Sequence, residues 1–236
     1  MEPDSGHPGR NWRRLLGGLA AGLGAGLVVV ALLLKYEPIL MAGATVGPDA
    51  ERDAARVVTT ASALHAALGQ AGPWGAAITD DEANAWLAID LLRNHPTLLP
   101  RALADPRVRF GRHRVEAAVR IGSGLLSTVV WCDLGVTLRG VNQLGITVEG
   151  ASAGAVPIPR MPVLAEFARR IAACGAATEL RRLDGRTVLV VYIPSTLGGG
   201  GPRWRVESLL IDDGEAAVAG STTTPEPASA AAAAND

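Results

Sequence analysis

Apolar and polar residues alternate with different periods along this chain, and each change of period marks an expected element. Leu15 to Leu34 is an uninterrupted uncharged run, LLGGLAAGLGAGLVVVALLL. At ~1.5 Å rise per residue it reaches ~30 Å, the hydrocarbon thickness of a bilayer, so a transmembrane helix is expected there. Between Ala50 and Leu68 the period is helical, with Val57, Ala61, Leu64 and Leu68 on one stripe and Gly69 as a stop. That stripe is thin, and suits a stalk as well as a core helix. A better-specified helix is expected over Ile78 to Leu92. Thr79 and Glu82 have the spacing of a capping box, and Ala83, Trp86, Ile89 and Leu92 supply the inward stripe.

From Pro106 the period becomes two. Val108 and Phe110 alternate with Arg107 and Arg109, and Val115, Ala117, Val119 and Ile121 alternate with Glu116 and Arg120. A long strand is expected from Leu126 to Leu138 and another from Gln143 to Glu149. Short turns and the absence of intervening helices predict an antiparallel meander with one buried face. Pro157 and Pro159 force an extended exit, and a helix is expected over Met161 to Ala173 with Pro162 at its first position and Gly175 after its end. Asp184-Gly185 predicts a hairpin of Glu179–Leu183 with Thr187–Ile193. Asp212-Asp213-Gly214 predicts a last hairpin of Trp204–Ile211 with Glu215–Ala219. The expected class is therefore α+β: one N-terminal transmembrane helix, then a twisted antiparallel sheet packed against one or two helices.

Charge orients this architecture. Arg10, Arg13 and Arg14 precede the apolar run and Lys35 alone follows it, with Glu37 nearby. The positive-inside rule then places the N-terminus in the cytoplasm and the following domain outside the cytoplasmic (inner) membrane. Ala42-Gly43-Ala44 has the form of a signal-peptidase site, but it lies far beyond the run's end, and the run exceeds the ~7–15 residues of a signal h-region. An uncleaved signal anchor is the favoured expectation. The expected organisation is a cytoplasmic N-terminus (1–14), an anchor (15–34), a linker and stalk helix (35–73), an exported domain (74–220) and a disordered, Ala-rich tail (221–236). Within the anchor Gly18, Gly22 and Gly26 share one helix face, the small-xxx-small pattern through which helices self-associate.

Candidate chemistry is sparse. The net charge of −1 gives no basic balance of the kind that marks nucleic-acid binders. Cys132 and Cys174 fit two thiols better than a bridge, and with four scattered histidines they do not make a four-ligand zinc set. Asp80, Asp81 and Glu82 lie in the first turn of their helix, where the helix dipole accounts for them without catalysis. Gly198 to Gly201 lacks the Gly-Lys-Ser/Thr ending of a phosphate loop. No catalytic residue, metal ligand or cofactor is expected. Arg101, Arg107, Arg109, Arg112, Arg114 and Arg120 crowd one stretch. Arg107 and Arg109 are candidates to contact anionic lipid headgroups, with solvated gatekeeper charges as the plainer account.

The order of motifs resembles the YpmS-like family of membrane-anchored, extracytoplasmic bacterial proteins. The residues that carry the likeness are Thr79, Asp80, Asp81, Glu82, Asn84 and Trp86, then the meander, then Gly154, Val156, Pro157, Ile158 and Pro159 leading into a helix. It covers about Ile78 to Ile171; the Ala-rich stalk and the acidic tail depart from it. The resemblance, to a family without an assigned activity, implies a domain similar to elongated lipid-binding folds, in which Trp86, Leu87, Trp131 and Leu134 would line an apolar groove. Core packing is the competing account of those four. The expected function is a binding module for lipid or another apolar ligand, partnered by the membrane. The alternatives are a structural or assembly partner of an envelope complex, as a homodimer or with another protein, and then a cell-wall-acting hydrolase.

Overall fold

The computed structural model describes residues 29–43, 47–94, 102–124, 127–196 and 202–224. The proposed anchor falls outside these except for 29–34, and Gly18, Gly22 and Gly26 fall outside them altogether. Among the described residues no helix is long and apolar enough to cross a membrane. Residues 29–34 are helical (α1). They are followed by α2 (Ile39–Gly43), α3 (Ala50–Leu68), β1 (Gly72–Thr79), α4 (Asp80–Asn94), and the strands β2 (Leu103–Gly111), β3 (Arg114–Ile121), β4 (Thr128–Gly140), β5 (Gln143–Ala153) and β6 (Val156–Pro157). The chain ends with α5 (Arg160–Ala173), β7 (Ala177–Leu183), β8 (Arg186–Tyr192), β9 (Arg203–Asp212) and β10 (Glu215–Thr223).

The mixed α+β class is as expected, but there are two antiparallel sheets instead of one. A three-stranded sheet has the order β1-β10-β9, and a seven-stranded sheet has the order β2-β3-β4-β5-β8-β7 with β6 on β5. The expected meander is β2 to β5. β1 was not foreseen, because Gly72, Pro73 and Gly75 are poor strand formers; Pro73 is tolerated on this edge, where its missing N–H breaks no ladder. Its partner β10 continues through Thr223, past Ser221, where the disordered tail was expected to begin. Trp74 lies opposite Gly220, and a Cβ at Gly220 would collide with the indole. The glycine makes room for the ring that anchors Trp204 and Val206 in one core cluster.

The two sheets meet around Phe110, Ile211 and Ala83, with Val115, Val136 and Leu209 packed on them. The main core lies under α5, where Leu164 and Leu189 are almost fully buried beside Leu134, Val148 and Val191. α5 begins at Arg160, so Pro162 is its third residue; this position still lacks an intrahelical N–H partner, and the proline is accommodated. α3 places Ala50 and Ala54 against Ala85 of α4, and Leu64 and Leu68 against the Trp74 cluster. Small side chains let the two helices approach closely, which is why so thin an apolar stripe suffices.

The capping box at α4 forms as the spacing predicts: the Thr79 amide donates to Glu82 at 3.0 Å, and the Glu82 amide donates to the Thr79 hydroxyl at 3.3 Å. Asp80 and Asn84 have a further duty. β2 is a sheet edge, and its outward backbone groups need partners. Asn84 donates to the Val108 carbonyl at 2.8 Å and accepts from the Val108 amide at 2.9 Å, while Asp80 accepts from the Phe110 amide at 2.7 Å. These side chains supply the hydrogen bonds that a further strand would have made.

Candidate apolar groove

Where α5 leaves the large sheet, a groove opens. α5 packs over β5, β7 and β8, whereas α4 lies along the β2 edge. Between them the face of β2, β3 and β4 is left partly uncovered. The groove has a volume of about 530 Å³, within the ~300–1,000 Å³ of small-molecule sites. Its floor is Ala117, Val119 and Ile121 of β3, Val130 and Cys132 of β4 and Ala151 of β5. One wall is Pro162, Val163 and Phe167 of α5, and the other is Leu87 of α4 with Leu103 and Val108 of β2. Much of the floor is small: Ala117, Ala151 and Cys132 stop short of the space that larger residues would fill.

Of the residues expected to line a groove, Leu87 and Trp131 do so. Trp131 borders it from the edge: its side chain packs with the Leu40, Ala118 and Val129 cluster on the other face of the sheet and donates its indole N–H to the Gly154 carbonyl at 3.1 Å. Leu134 is buried in the core under α5, and Trp86 is half-buried on α4 outside the groove lining. Reading from sequence missed Val119, Val163 and Phe167. Val119 lies on the apolar side of β3, but nothing in the alternation says whether that side meets a helix or open space.

Polar groups enter the groove at few points. Glu166 and Arg170 border it from α5 and are paired with each other at 2.6 Å. Arg169 also donates to Glu166, and the two guanidinium groups hold the Glu166 carboxyl below the usual range. Arg107 is different. A bulge between Ala104 and Arg107, with Asp105 at φ 48°, precedes it, and Arg107 pairs with Ala118, so its side chain starts on the face opposite the Ala117 and Val119 floor although the residue borders the groove. Its Nη1 is buried and has no hydrogen-bond partner among the described residues.

The other described arginines of this stretch are engaged. Arg109 pairs with Glu116, Arg112 with Asp212 and Asp213, Arg114 with Asp133, and Arg120 with Glu37 and Asp105. Arg109 is thus tied into a salt bridge on the sheet surface, and Arg107, two residues before it on the same strand, starts on the same face of the sheet.

Elsewhere, Asp133, Glu116 and Glu149 gather on β3, β4 and β5. Burial is the main cause that pushes the Asp133 carboxyl above its ordinary value of 3.8, and Glu116 and Glu149 add to it against Arg114. Strand alternation turns Asp133 away from the groove that its neighbour Cys132 lines. Each of the three carboxylates has an arginine partner. Cys132 and Cys174 are free thiols, one buried and one exposed. Burial pushes the Cys132 thiol up to about 11, which keeps it protonated and a poor nucleophile at neutral pH. Among the described residues no three His, Cys, Asp or Glu side chains converge as a metal site.

Compared with protein-family models, curated proteins and solved structures, the chain matches none.

Proposed function

We propose that this chain is a single-pass protein of the cytoplasmic membrane, N-terminus inside, whose exported domain is a non-enzymatic binding module for a lipid or another apolar ligand. The observation that carries this reading is the groove itself, a concave site of about 530 Å³ with an almost wholly hydrocarbon lining. Binding there would remove apolar surface from water on both partners, at ~25 cal/mol per Å².

The exposed apolar side chains next to the proposed anchor support the membrane part of this reading. Val29, Val30, Leu32 and Leu33 of α1 and Ile39 of α2 are all solvent-exposed in the isolated chain, an arrangement costly in water and natural at the end of a membrane helix. Kinship with the YpmS-like family belongs to the same proposal. Thr79, Glu82, Asp80 and Asn84, which carry much of that likeness, serve capping and edge pairing here, so the likeness would be one of architecture.

The test is mass spectrometry of organic extracts of the full chain purified from membranes, beside a Val119→Phe variant that intrudes on the groove. A reproducible apolar compound at about one per chain, lost in the variant, is the expected result. A wild-type chain no richer in any such compound than the variant would sink the groove reading and leave assembly with an envelope partner as the alternative.

A further inference from the structure

Among the described residues the outer edge of β7 is unpaired, whereas the outer edges of β2, β9 and β1 are guarded. We propose that β7 is the pairing edge of a two-fold homodimer, in which it lies antiparallel to β7 of a second copy of this chain with Leu180 at the axis. This goes beyond the apolar-groove reading and does not depend on it.

A sheet edge carries backbone donors and acceptors that can template another strand. On β2 they are met by Asp80 and Asn84, and on β9 by Asn142 and by the His113 amide, which donates to the Ile211 carbonyl at 2.9 Å. β1 carries Pro73 and lies along α3. β7 ends the large sheet beyond β8. Leu183 and Arg186 flank the tight turn Asp184-Gly185, with φ of 50° and 76°, so they form a hydrogen-bonded pair. By alternation Arg181 and Glu179 also bond to β8, while the backbone groups of Arg182, Leu180 and Thr178 point outward. No hydrogen bond reaches those groups among the described residues. Leu180 is 42% exposed, although its partner Leu189 is fully buried.

The order of charges selects a second copy as the partner. Exposed charges on an edge ordinarily keep other strands away, and Glu179, Arg181 and Arg182 are all exposed. An antiparallel pair sets outward residues against outward residues. With the axis at Leu180, Glu179 lies opposite the partner's Arg181, Arg181 opposite the partner's Glu179, and Thr178 opposite the partner's Arg182. Opposite charges then meet across the closely spaced, non-hydrogen-bonded positions, where such pairs stabilise a sheet. Within one chain Glu179 and Arg181 already pair at 2.7 Å, so the dimer makes one alternating cluster of them. An axis at Arg182 would oppose like guanidinium groups, and one at Thr178 would run Arg181 and Arg182 past the start of the partner's β7. The exposed Leu180 side chains meet at the axis and lose apolar surface to each other. Such a contact is isologous and closes at two copies, joining two large sheets into one.

Cysteine crosslinking of the full chain in native membranes tests the proposal, with Cys174→Ser removing the exposed thiol and Cys132 left buried. Position 180 faces itself across the axis at the ~5.5 Å Cα spacing of a hydrogen-bonded pair, within the span of a disulfide. Position 178 meets itself only ~14 Å away, at ~3.4 Å per residue. Mild oxidation should therefore link Leu180→Cys chains into dimers at least ~tenfold more than Thr178→Cys chains. Adding Glu179→Arg should lower the Leu180→Cys dimer at least ~fivefold, and adding Arg181→Glu as well should restore it. No linkage at Leu180→Cys, or equal linkage at both positions as contact through the anchor alone would give, would overturn the dimer. A Leu180→Cys dimer indifferent to Glu179→Arg would overturn the charge-matched register, and so would a loss that Arg181→Glu fails to restore.

Discussion

Asn142 occupies the turn between β4 and β5 with φ of 56°, a left-handed conformation that asparagine tolerates better than most residues. Its buried side-chain amide donates to the Trp204 carbonyl at 3.0 Å and accepts from the Val206 amide at 2.6 Å, so one side chain joins the turn to β9 of the small sheet. Removing it leaves two buried backbone groups unpaired, at ~1–3 kcal/mol each. Asn142→Gly keeps the backbone conformation and loses the amide, so it should destabilise the chain by about 2–4 kcal/mol in urea titration. A glycine variant as stable as wild type would show that the amide bridge contributes nothing. Asp133 gives a prediction of opposite sign. Its carboxyl is held above 3.8 chiefly by burial, so protonation favours the fold. The stabilisation is present below the ordinary value and lost as pH rises through the raised one. Asp133→Asn should therefore melt higher than wild type at pH 7, and the gap should close as pH falls towards 4. A gap that widens on acidification would reverse the assigned shift.

At the scale of elements, local signals placed most helices and strands because their causes are local. The Thr79–Glu82 box starts α4, Gly175 with φ of 88° ends α5, and Asp184-Gly185 turns β7 into β8. β1 escaped because Gly72, Pro73 and Gly75 hide a strand that forms only when β10 lies beside it. The attachment of α1 was equally invisible. It depends on Gly154, whose φ of 57° lies in the left-handed region and whose missing Cβ makes room for the Leu33 carbonyl. Lys35 reinforces the contact by donating to the Ser127 carbonyl at 2.9 Å, and Arg120 pairs with Glu37 at 2.7 Å. Gly154→Ala should force α1 off the sheet at a cost of about 1–2 kcal/mol, including the strain of a Cβ at positive φ. The check is hydrogen exchange at the Ala155 amide, which should lose protection by at least ~tenfold, the equivalent of ~1.4 kcal/mol. Protection equal to wild type would show that α1 does not depend on this contact.

At the scale of the whole molecule, the groove exists because α5 and α4 cover different parts of one sheet, and because residues far apart in sequence (Leu87, Arg107, Val119, Trp131 and Val163) border the space between them. The sequence by itself determined the α+β class, the α4 cap, the order of the meander and the two hairpins, since periodicity and turn chemistry act over a few residues. Its pattern also marked Leu87 and Trp131 as apolar, although it offered Leu134 on the same terms. Only tertiary structure decided that Leu134 lies beneath α5 while Trp131 packs with Leu40 and Val129 on the other face. Only tertiary structure, too, split the strands into two sheets, set Asn84 and Asn142 to the work of absent strands, and gave Arg109, Arg112, Arg114 and Arg120 their carboxylate partners. The reason is the same in each case: alternation says which side of a strand is apolar, but what lies against that side is fixed by contacts between distant segments.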